Sequence, residues 1–452
     1  MALSRRQFFT LAGAGAATAV LASPLEALYS RAARGISVSG GGYGPLLPDP
    51  NKLLDLPEGF QYRAFSRTGD IMNDGNPVPD AHDGMAAFPG PNNTVILVRN
   101  QELRPTSGTQ VVGSPKYDNL CRGGTTTLII SPDRQLIKQY ASLAGTYRNC
   151  AGGSTPWGSW ISCEENTSTP TTDASVSKWH GYNFEVPATA TGVVNPVPLI
   201  EMGRFNHEAV AVDPKTGIVY QTEDRGDGLF YRFIPKQPGS LHAGGILQAL
   251  KIKNQPGVNT SNQSTQTIPV SQSLAVEWVT IDNPNPPNDN APPQGGDVKQ
   301  YGVRYQGFAK GAARFTRGEG IWYGNGEFYF TCTDGGSAKA GQVWRYIPGK
   351  TAQEGGTLEL FVEPNNANIL DAPDNIVVAP TGDLFLCEDG PNTQYVVGVT
   401  SKGQLYQFAR NALNSSEFAG ACFSPNGQTM FLNIYSPGIT FAIWGPWSSK
   451  RA

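Results

Sequence analysis

The sequence predicts an all-β fold, a six-bladed β-propeller with long inter-strand loops, and three observations carry that prediction. Glycine and proline number 53 and 35 among 452 residues, aromatic residues reach 10% and charged residues only 16%. That balance favours many short strands joined by tight turns over helical layers. A hairpin-like unit recurs six times: a small polar or acidic start, a short apolar strand, a turn on Gly, Asn or Asp, and a return strand ending in acidic or amide residues. Each unit is followed by a glycine-led third strand, and six hairpins with six third strands define six blades.

In chain order, the first feature is an address. Ser4-Arg5-Arg6-Gln7-Phe8-Phe9-Thr10 precedes the apolar run from Leu11 to Ala22, followed by Ser23-Pro24. The run is too short to span a bilayer and reads as a signal peptide. Its paired arginines and phenylalanines match the pattern read by the twin-arginine export machinery, with a general secretory signal as the alternative. The expected organisation is a signal peptide and start of linker over 1–35, then a single propeller domain over 36–452. No later stretch approaches ~18 apolar residues, so the expectation is a periplasmic or secreted monomer, free of the membrane after processing. The net charge of −3 gives no basic footprint and argues against nucleic acid as a partner.

The six units run from His82-Asp83-Gly84 to Asn100-Gln101-Glu102, Cys150-Ala151-Gly152 to Cys163-Glu164-Glu165, and Asn206-His207-Glu208 to Glu223-Asp224. The rest run from Gly318-Glu319-Gly320 to Cys332-Thr333-Asp334, Pro373-Asp374-Asn375 to Cys387-Glu388-Asp389, and Phe418-Ala419-Gly420 to Asn433. Turns such as Gly324-Asn325-Gly326 and Pro425-Asn426-Gly427 suit hairpin closure. Third strands begin at Gly123, Gly181, Gly228, Gly341, Gly403 and Gly438. The longest connection, about 250 to 310, holds the strand-like Leu274-Ala275-Val276-Glu277-Trp278-Val279.

In an antiparallel hairpin the start of the first strand lies beside the end of the second. All six polar ends therefore meet at one mouth of the central channel. That rim gathers Asp83, Glu102, Glu164, Glu165, Glu208, Glu223, Asp224, Glu319, Asp334, Asp374, Glu388 and Asp389. So many carboxylates need compensation, and multivalent cations supply it. Oxygen ligands suit Ca2+, while a thiolate among carboxylates favours a transition metal, iron among the candidates. Trp157 to Ile161 reads as a buried strand ending at Cys163-Glu164-Glu165, a metal site or equally a strand leaving into solvated acids. Of the six cysteines, most read as small buried hydrophobes; a Cys121–Cys150 bridge stays open, and the absence of paired CxxC spacing argues against a zinc ribbon.

Cys150-Ala151-Gly152-Gly153-Ser154-Thr155-Pro156-Trp157-Gly158 through Cys163-Glu164-Glu165-Asn166, with Asn206-His207-Glu208-Ala209, Arg317-Gly318-Glu319-Gly320 and Cys387-Glu388-Asp389-Gly390, resembles the PhoX-type alkaline phosphatases over nearly the whole mature chain. The resemblance implies a periplasmic phosphomonoesterase that uses ferric iron (Fe3+) together with Ca2+ and takes small-molecule phosphate esters. It implies that Cys163 is the iron thiolate ligand, that Glu208 and Glu319 are metal carboxylates, and that Arg317 holds a phosphate oxygen. Asn100, Glu164, Glu165, Asp374, Glu388 and Asp389 are the further expected metal or supporting positions. The catalytic set is then Cys163, Glu208, Arg317 and Glu319. The sequence departs from the family pattern at Asn100-Gln101-Glu102, where similar proteins carry Asn-His-Glu.

Hydrolysis of a phosphate ester needs an ionised oxygen nucleophile and cations against the phosphoryl oxygens, which a metal-bound oxo or hydroxo group would satisfy. No serine-centred nucleophile elbow is visible. Two other functions fit the same residues: a calcium-dependent propeller lactonase or phosphotriesterase, and a non-catalytic calcium-binding scaffold. His180 and His242 read as loop residues, while His82 and His207 are placed to support the rim or simply to pack. Trp157, Trp160, Trp322 and Trp344 read as blade core, and Arg232 and Arg345 as structural. Arg148 reads equally as a second phosphate contact and as a capping arginine. Asn433 in place of an acid suggests that the sixth blade contributes least.

Overall fold

The computed structural model describes residues 42–351 and 353–447, so the expected signal peptide and the boundary at residue 35 lie outside it. Alternating apolar and β-branched residues form six antiparallel hairpins where the repeat places them. We number them blades 1 to 6: His82–Pro89 with Val95–Gln101, Asn149–Ser154 with Ser159–Glu164, His207–Val212 with Val219–Glu223, Gly318–Gly324 with Glu327–Cys332, Pro373–Val378 with Leu384–Glu388, and Phe418–Phe423 with Met430–Ile434. The first strand of each is innermost. Each inner strand touches the next, and Phe418–Phe423 touches His82–Pro89, closing the ring.

Two features differ from the expectation. Among the described residues the strands form five sheets, not six separate blades. Ser273–Thr280, from the long connection, pairs with Gly245–Ile252 on one side and Thr357–Val362 on the other, fusing blades 3 and 4 into one nine-stranded sheet. In blade 5 the segment led by Gly403 is the fourth strand, Leu405–Asn411; the third, Tyr395–Val399, has no leading glycine. Gln61–Phe65 completes blade 6 from the other end of the chain by pairing with Ile439–Trp444.

The core lies between neighbouring blades. Phe230 of blade 3 stacks on Phe330 of blade 4 with ring centroids 4.4 Å apart, beside the buried Tyr220, Trp344 and Tyr346. Near the axis the inner strands approach so closely that only small residues fit. A Cβ on Gly153 would stand 1.8 Å from the Val210 carbonyl oxygen of the next blade, and one on Gly84 2.6 Å from Cα of Ala151.

All six inner strands carry a register shift near their start, where residues stand out from the ladder. Such bulges re-aim side chains. In blades 1 to 5 the bulged pairs are Asp83-Gly84, Cys150-Ala151, Glu208-Ala209, Glu319-Gly320 and Asp374-Asn375, each beginning with an acid or a thiol.

Because no side chain can bend away from the Val210 carbonyl, Gly153→Ala is expected to lower the unfolding free energy by about 3 kcal/mol, the upper range for overpacking. Urea denaturation of the variant measures this.

Candidate metal centre and active site

Three register positions, repeated around the ring, supply the side chains at the mouth. The lead-in residue, just before each inner strand, is Ala81, Arg148, Asn206, Arg317, Ala372 or Glu417. The exit residue, just after each second strand, is Glu102, Glu165, Asp224, Thr333, Asp389 or Tyr435. In every blade the exit N–H donates to the lead-in carbonyl, at 2.9 to 3.2 Å. Ala81, Arg148, Arg317 and Ala372 adopt left-handed backbone, with φ between 45° and 54°, a conformation costly outside glycine and held here by that shared hydrogen bond. The third position is the bulge, which aims Asp83, Cys150, Glu208, Glu319 and Asp374 toward the axis.

Three adjoining groups result, each with its ligand atoms within 4.8 Å of one another: Cys150, Glu165 and Glu208; Glu208, Glu319 and Asp374; and Asp374, Asp389 and Glu417. Glu208 and Asp374 are shared, so the groups form one continuous cluster. Of the residues expected from the sequence, Glu165, Glu208, Glu319, Asp374 and Asp389 come together here, with Arg317 beside them. Arg317 donates from Nε to Asp224 at 3.0 Å and from Nη2 to Glu319 at 2.7 Å. Arg148, its counterpart in blade 2, spends its donors on Glu102 at 2.9 Å and Glu165 at 2.5 Å. That makes it a brace between two carboxylates.

Four expected ligands belong elsewhere. Cys163 is fully buried among Ile161, Leu199, Met202, Val210 and Phe233, and the thiol of the centre is Cys150. Glu164 turns into the blade, where it accepts from the N–H groups of Tyr147, Gly181 and Tyr182 and binds His180. Glu388 does the same in blade 5, accepting from the N–H groups of Asp371 and Tyr395. Asn100 has all its capacity used: it donates to the carbonyls of Cys150 and Ala151 and accepts from Trp160 and Ser162, pinning the bulge that carries the thiol. The cause in each case is the place in the strand. Glu164 and Glu388 are each the last paired residue of the strand, so their side chains enter the blade and the next residue faces the channel, while Cys163, one residue earlier and on the opposite face, is still within the apolar ladder.

The same alternation removes two further rim residues. Glu223 lies inside blade 3, bonded to the Leu229 N–H and the Tyr231 hydroxyl. Asp334 stands one residue past the exit position and accepts from Thr316. Glu417, missed in the sequence, makes blade 6 a full contributor against expectation. Its signal is its place just before Phe418-Ala419-Gly420, and that of Cys150 is its alignment with Glu208, Glu319 and Asp374. The Gln101 side chain lies against Arg99, Thr126 and the Asp80 carbonyl, with Asp80 reached once its amide is turned over. It is part of the blade, so the departure from histidine falls outside the cluster.

Burial and mutual repulsion make the cluster hungry for positive charge. Asp83, Cys150, Glu165, Glu208 and Glu319 are at most 7% exposed. Burial first, then Asp374 and Glu165, push the Glu208 carboxyl well above the carboxylate range. Glu319 is pushed the same way by burial and then by Asp224 and Glu208. Burial and then the Asp389 charge raise Asp374 to about 7. The Cys150 thiol is driven up by burial and by Glu208 and Glu165. Two arginines do not offset so many acids, and cations among these donors would. The donors sort by hardness: the group with Cys150 suits a transition metal, the two all-oxygen groups suit calcium.

His180 lies in a loop, as expected, but is fully buried behind this mouth. Its Nδ1 lies 2.7 Å from Glu164, and its Nε2 lies 3.3 Å from Asp118 and 3.5 Å from the Cys121 sulfur. Burial opposes its charge, but Glu164 and then Asp118 outweigh this and push its pKa up to about 12. His82 and His207 are the reverse: burial keeps both neutral, and each binds a carbonyl, of Pro79 and Gly203 respectively. All six cysteines are free and buried, which removes the Cys121–Cys150 bridge.

A propeller that gathers a thiol, buried carboxylates and an anchored arginine at one mouth has the build of a metal-dependent enzyme. The family profile described as alkaline phosphatase PhoX matches residues 41–438, and the chain belongs to that family. Among solved structures it is similar to Pseudomonas fluorescens PhoX in complex with vanadate, a transition state analogue. That match has 17% identity, covers 90% of this chain and 98% of the other, and has a TM-score of 0.68. A gluconolactonase from Xanthomonas campestris matches at 12% identity over 90% of this chain and 99% of its own, with a TM-score of 0.41. A search of curated proteins finds no match.

The His180 clamp sets a pH-dependent stability. With the imidazole raised from 6.5 to about 12 on folding, its contribution is full below about pH 6.5 and is lost as pH rises toward 12. Asp118 is buried, yet its bonds to His180 and to the backbone hold it below the usual range, so its contribution is lost as pH falls below about 4. His180→Gln is expected to destabilise by about 3 kcal/mol near pH 5, with a difference from wild type that shrinks steadily through pH 10 in urea titrations.

Proposed function

We propose that this chain is an exported, metal-dependent phosphatase that hydrolyses phosphate monoesters and releases inorganic phosphate outside the cytoplasm, in the periplasm or beyond. The observation that carries the reading is the convergence of Cys150, six shared or neighbouring carboxylates and the anchored Arg317 on one mouth. Membership of the PhoX family supports it. The twin-arginine pattern at Arg5 and Arg6 supports export.

Iron is proposed at Cys150, Glu165 and Glu208, and Ca2+ at Glu319, Asp374, Asp389 and Glu417 with the shared Glu208. When bound, the cations offset charge on the phosphoryl oxygens and ease ionisation of the attacking water. The chain supplies the rest. Arg317 is held along one edge by Asp224 and Glu319, which leaves Nη1 to bind a phosphoryl oxygen and fix the ester for in-line displacement. Arg148 keeps Glu102 and Glu165 apart from each other's charge. Asn100 fixes the carbonyls of Cys150 and Ala151, on either side of the Ala151 Cα, so the thiol stays aimed at Glu208.

The test is hydrolysis of p-nitrophenyl phosphate by the purified chain at alkaline pH, with elemental analysis for iron and calcium. Chelation is expected to abolish turnover and Ca2+ to restore part of it; turnover indifferent to both would sink the reading, and a strong preference for diesters, triesters or lactones would replace it. Cys150→Ala is expected to remove iron and activity together, whereas Cys163→Ala retains both and costs only about 1–2 kcal/mol of stability. Arg317→Lys is expected to lower kcat/KM about 100-fold, because an ammonium cannot hold Asp224, Glu319 and substrate at once.

A further inference from the structure

We propose that His180 is a positioning residue of the metal centre, holding in register the two chain segments that deliver Arg148, Cys150 and Glu165. The inference rests on the assignment of Cys150 and Glu165 as metal ligands. Its geometry is a closed circuit with no exposed member: His180, Glu164, Asp118 and Cys121 are each 0% exposed.

Glu164 is the hub. One oxygen accepts from the Tyr147 N–H at 2.9 Å and meets His180 Nδ1 at 2.7 Å; the other accepts from the Gly181 and Tyr182 N–H groups at 2.9 and 3.3 Å. Tyr147 precedes Arg148 and leads to Cys150, and Glu164 precedes Glu165. One carboxylate thus ties together both strand ends of blade 2, and the Glu165 N–H to the Arg148 carbonyl, 3.0 Å, locks the pair.

A buried carboxylate needs a counter-charge, and His180 provides it. Asp118 in turn anchors the imidazole, accepting from the N–H groups of Leu120, Ser177 and Lys178 and from the Ser177 hydroxyl. Blade 5 places a carboxylate at the same position without a histidine. Glu388 has two backbone donors and no ion pair among the described residues, and its blade brings the carboxylates Asp374 and Asp389, but neither a thiol nor an arginine, to the mouth.

The experiment measures metal retention, independent of turnover. Wild type, His180→Gln and Trp344→Phe, the last a loss of packing in the core of blade 4, are dialysed against graded chelator and analysed for iron and calcium, with Tm, kcat and KM recorded. His180→Gln is expected to release iron at about 10- to 100-fold lower chelator, the usual effect of removing a group that orients ligands, and to lose kcat with KM within about twofold. Trp344→Phe is expected to lower Tm and keep its metal. Asp118→Asn, which leaves the imidazole in place with one carboxylate charge removed, is expected to shift retention the same way by less and serves if His180→Gln does not fold.

Retention by His180→Gln equal to wild type overturns the inference alone. Metal loss in Trp344→Phe that matches it for the same fall in Tm does so too. A wild type that holds no iron or calcium overturns the functional reading beneath it. Stoichiometric zinc in wild type that Cys121→Ser removes would make Asp118, Cys121 and His180 a metal site of their own, and would also overturn the positioning role.

Discussion

One short hydrogen bond, from the N–H after each second strand to the carbonyl before each inner strand, governs the shape of this protein's working end. It closes the mouth of every hairpin at 2.9 to 3.2 Å, and just beyond it each inner strand bulges as it enters the ladder. The bulge turns an acid or thiol toward the axis in blades 1 to 5, and in blades 1, 2, 3 and 5 the closing residue adds a second acid. Backbone geometry therefore collects charge that electrostatics alone would scatter. Blade 6 shows the rule by departing from it: its bulge is shifted to Gly420-Ala421, Ala419 brings no charge, and Glu417 makes up the deficit from the lead-in position.

Carboxylates in this molecule fall into two populations that differ by one residue in the chain. Glu164, Glu223 and Glu388 end their strands inside a blade, held by backbone N–H groups together with His180 for Glu164 and Tyr231 and Arg304 for Glu223. Glu165, Asp224 and Asp389 follow immediately and face the channel. The first population is structural and carries the blade ends. The second is left with too few protein partners, which is the condition under which cations bind. The three adjacent acidic pairs are therefore each one support and one ligand or brace.

That same spacing explains what the sequence disclosed and what it hid. The repeated hairpins, their turns and the convergence of polar ends on one mouth were readable, because glycine turns and strand alternation are local. The assignment within each Glu-Glu or Glu-Asp pair was not, since a shift of one residue exchanges the two faces of a strand and nothing local marks the last ladder partner. Cys163 attracted attention by standing next to acids, yet it lies in the apolar cluster of its strand, while Cys150 aligns with Glu208 and Glu319 only when strand starts are superposed. The fusion of blades 3 and 4 was hidden because Ser273–Thr280 finds its partners across long insertions. His180 was hidden for a like reason: Asp118, Cys121 and Glu164 are far from it in sequence.

The ring is fastened by strands from opposite ends of the chain, Gln61–Phe65 against Ile439–Trp444. Until both are present, Ile439–Trp444 offers a bare, apolar edge to any strand that can pair with it. A chain clipped so that it loses the first strand is thus an open clasp, and a neighbour's Gln61–Phe65 fits it as well as its own did. Assembly of this propeller is consequently a race between closure within one chain and exchange between two, and crowding of unclosed chains tilts that race toward entangled pairs.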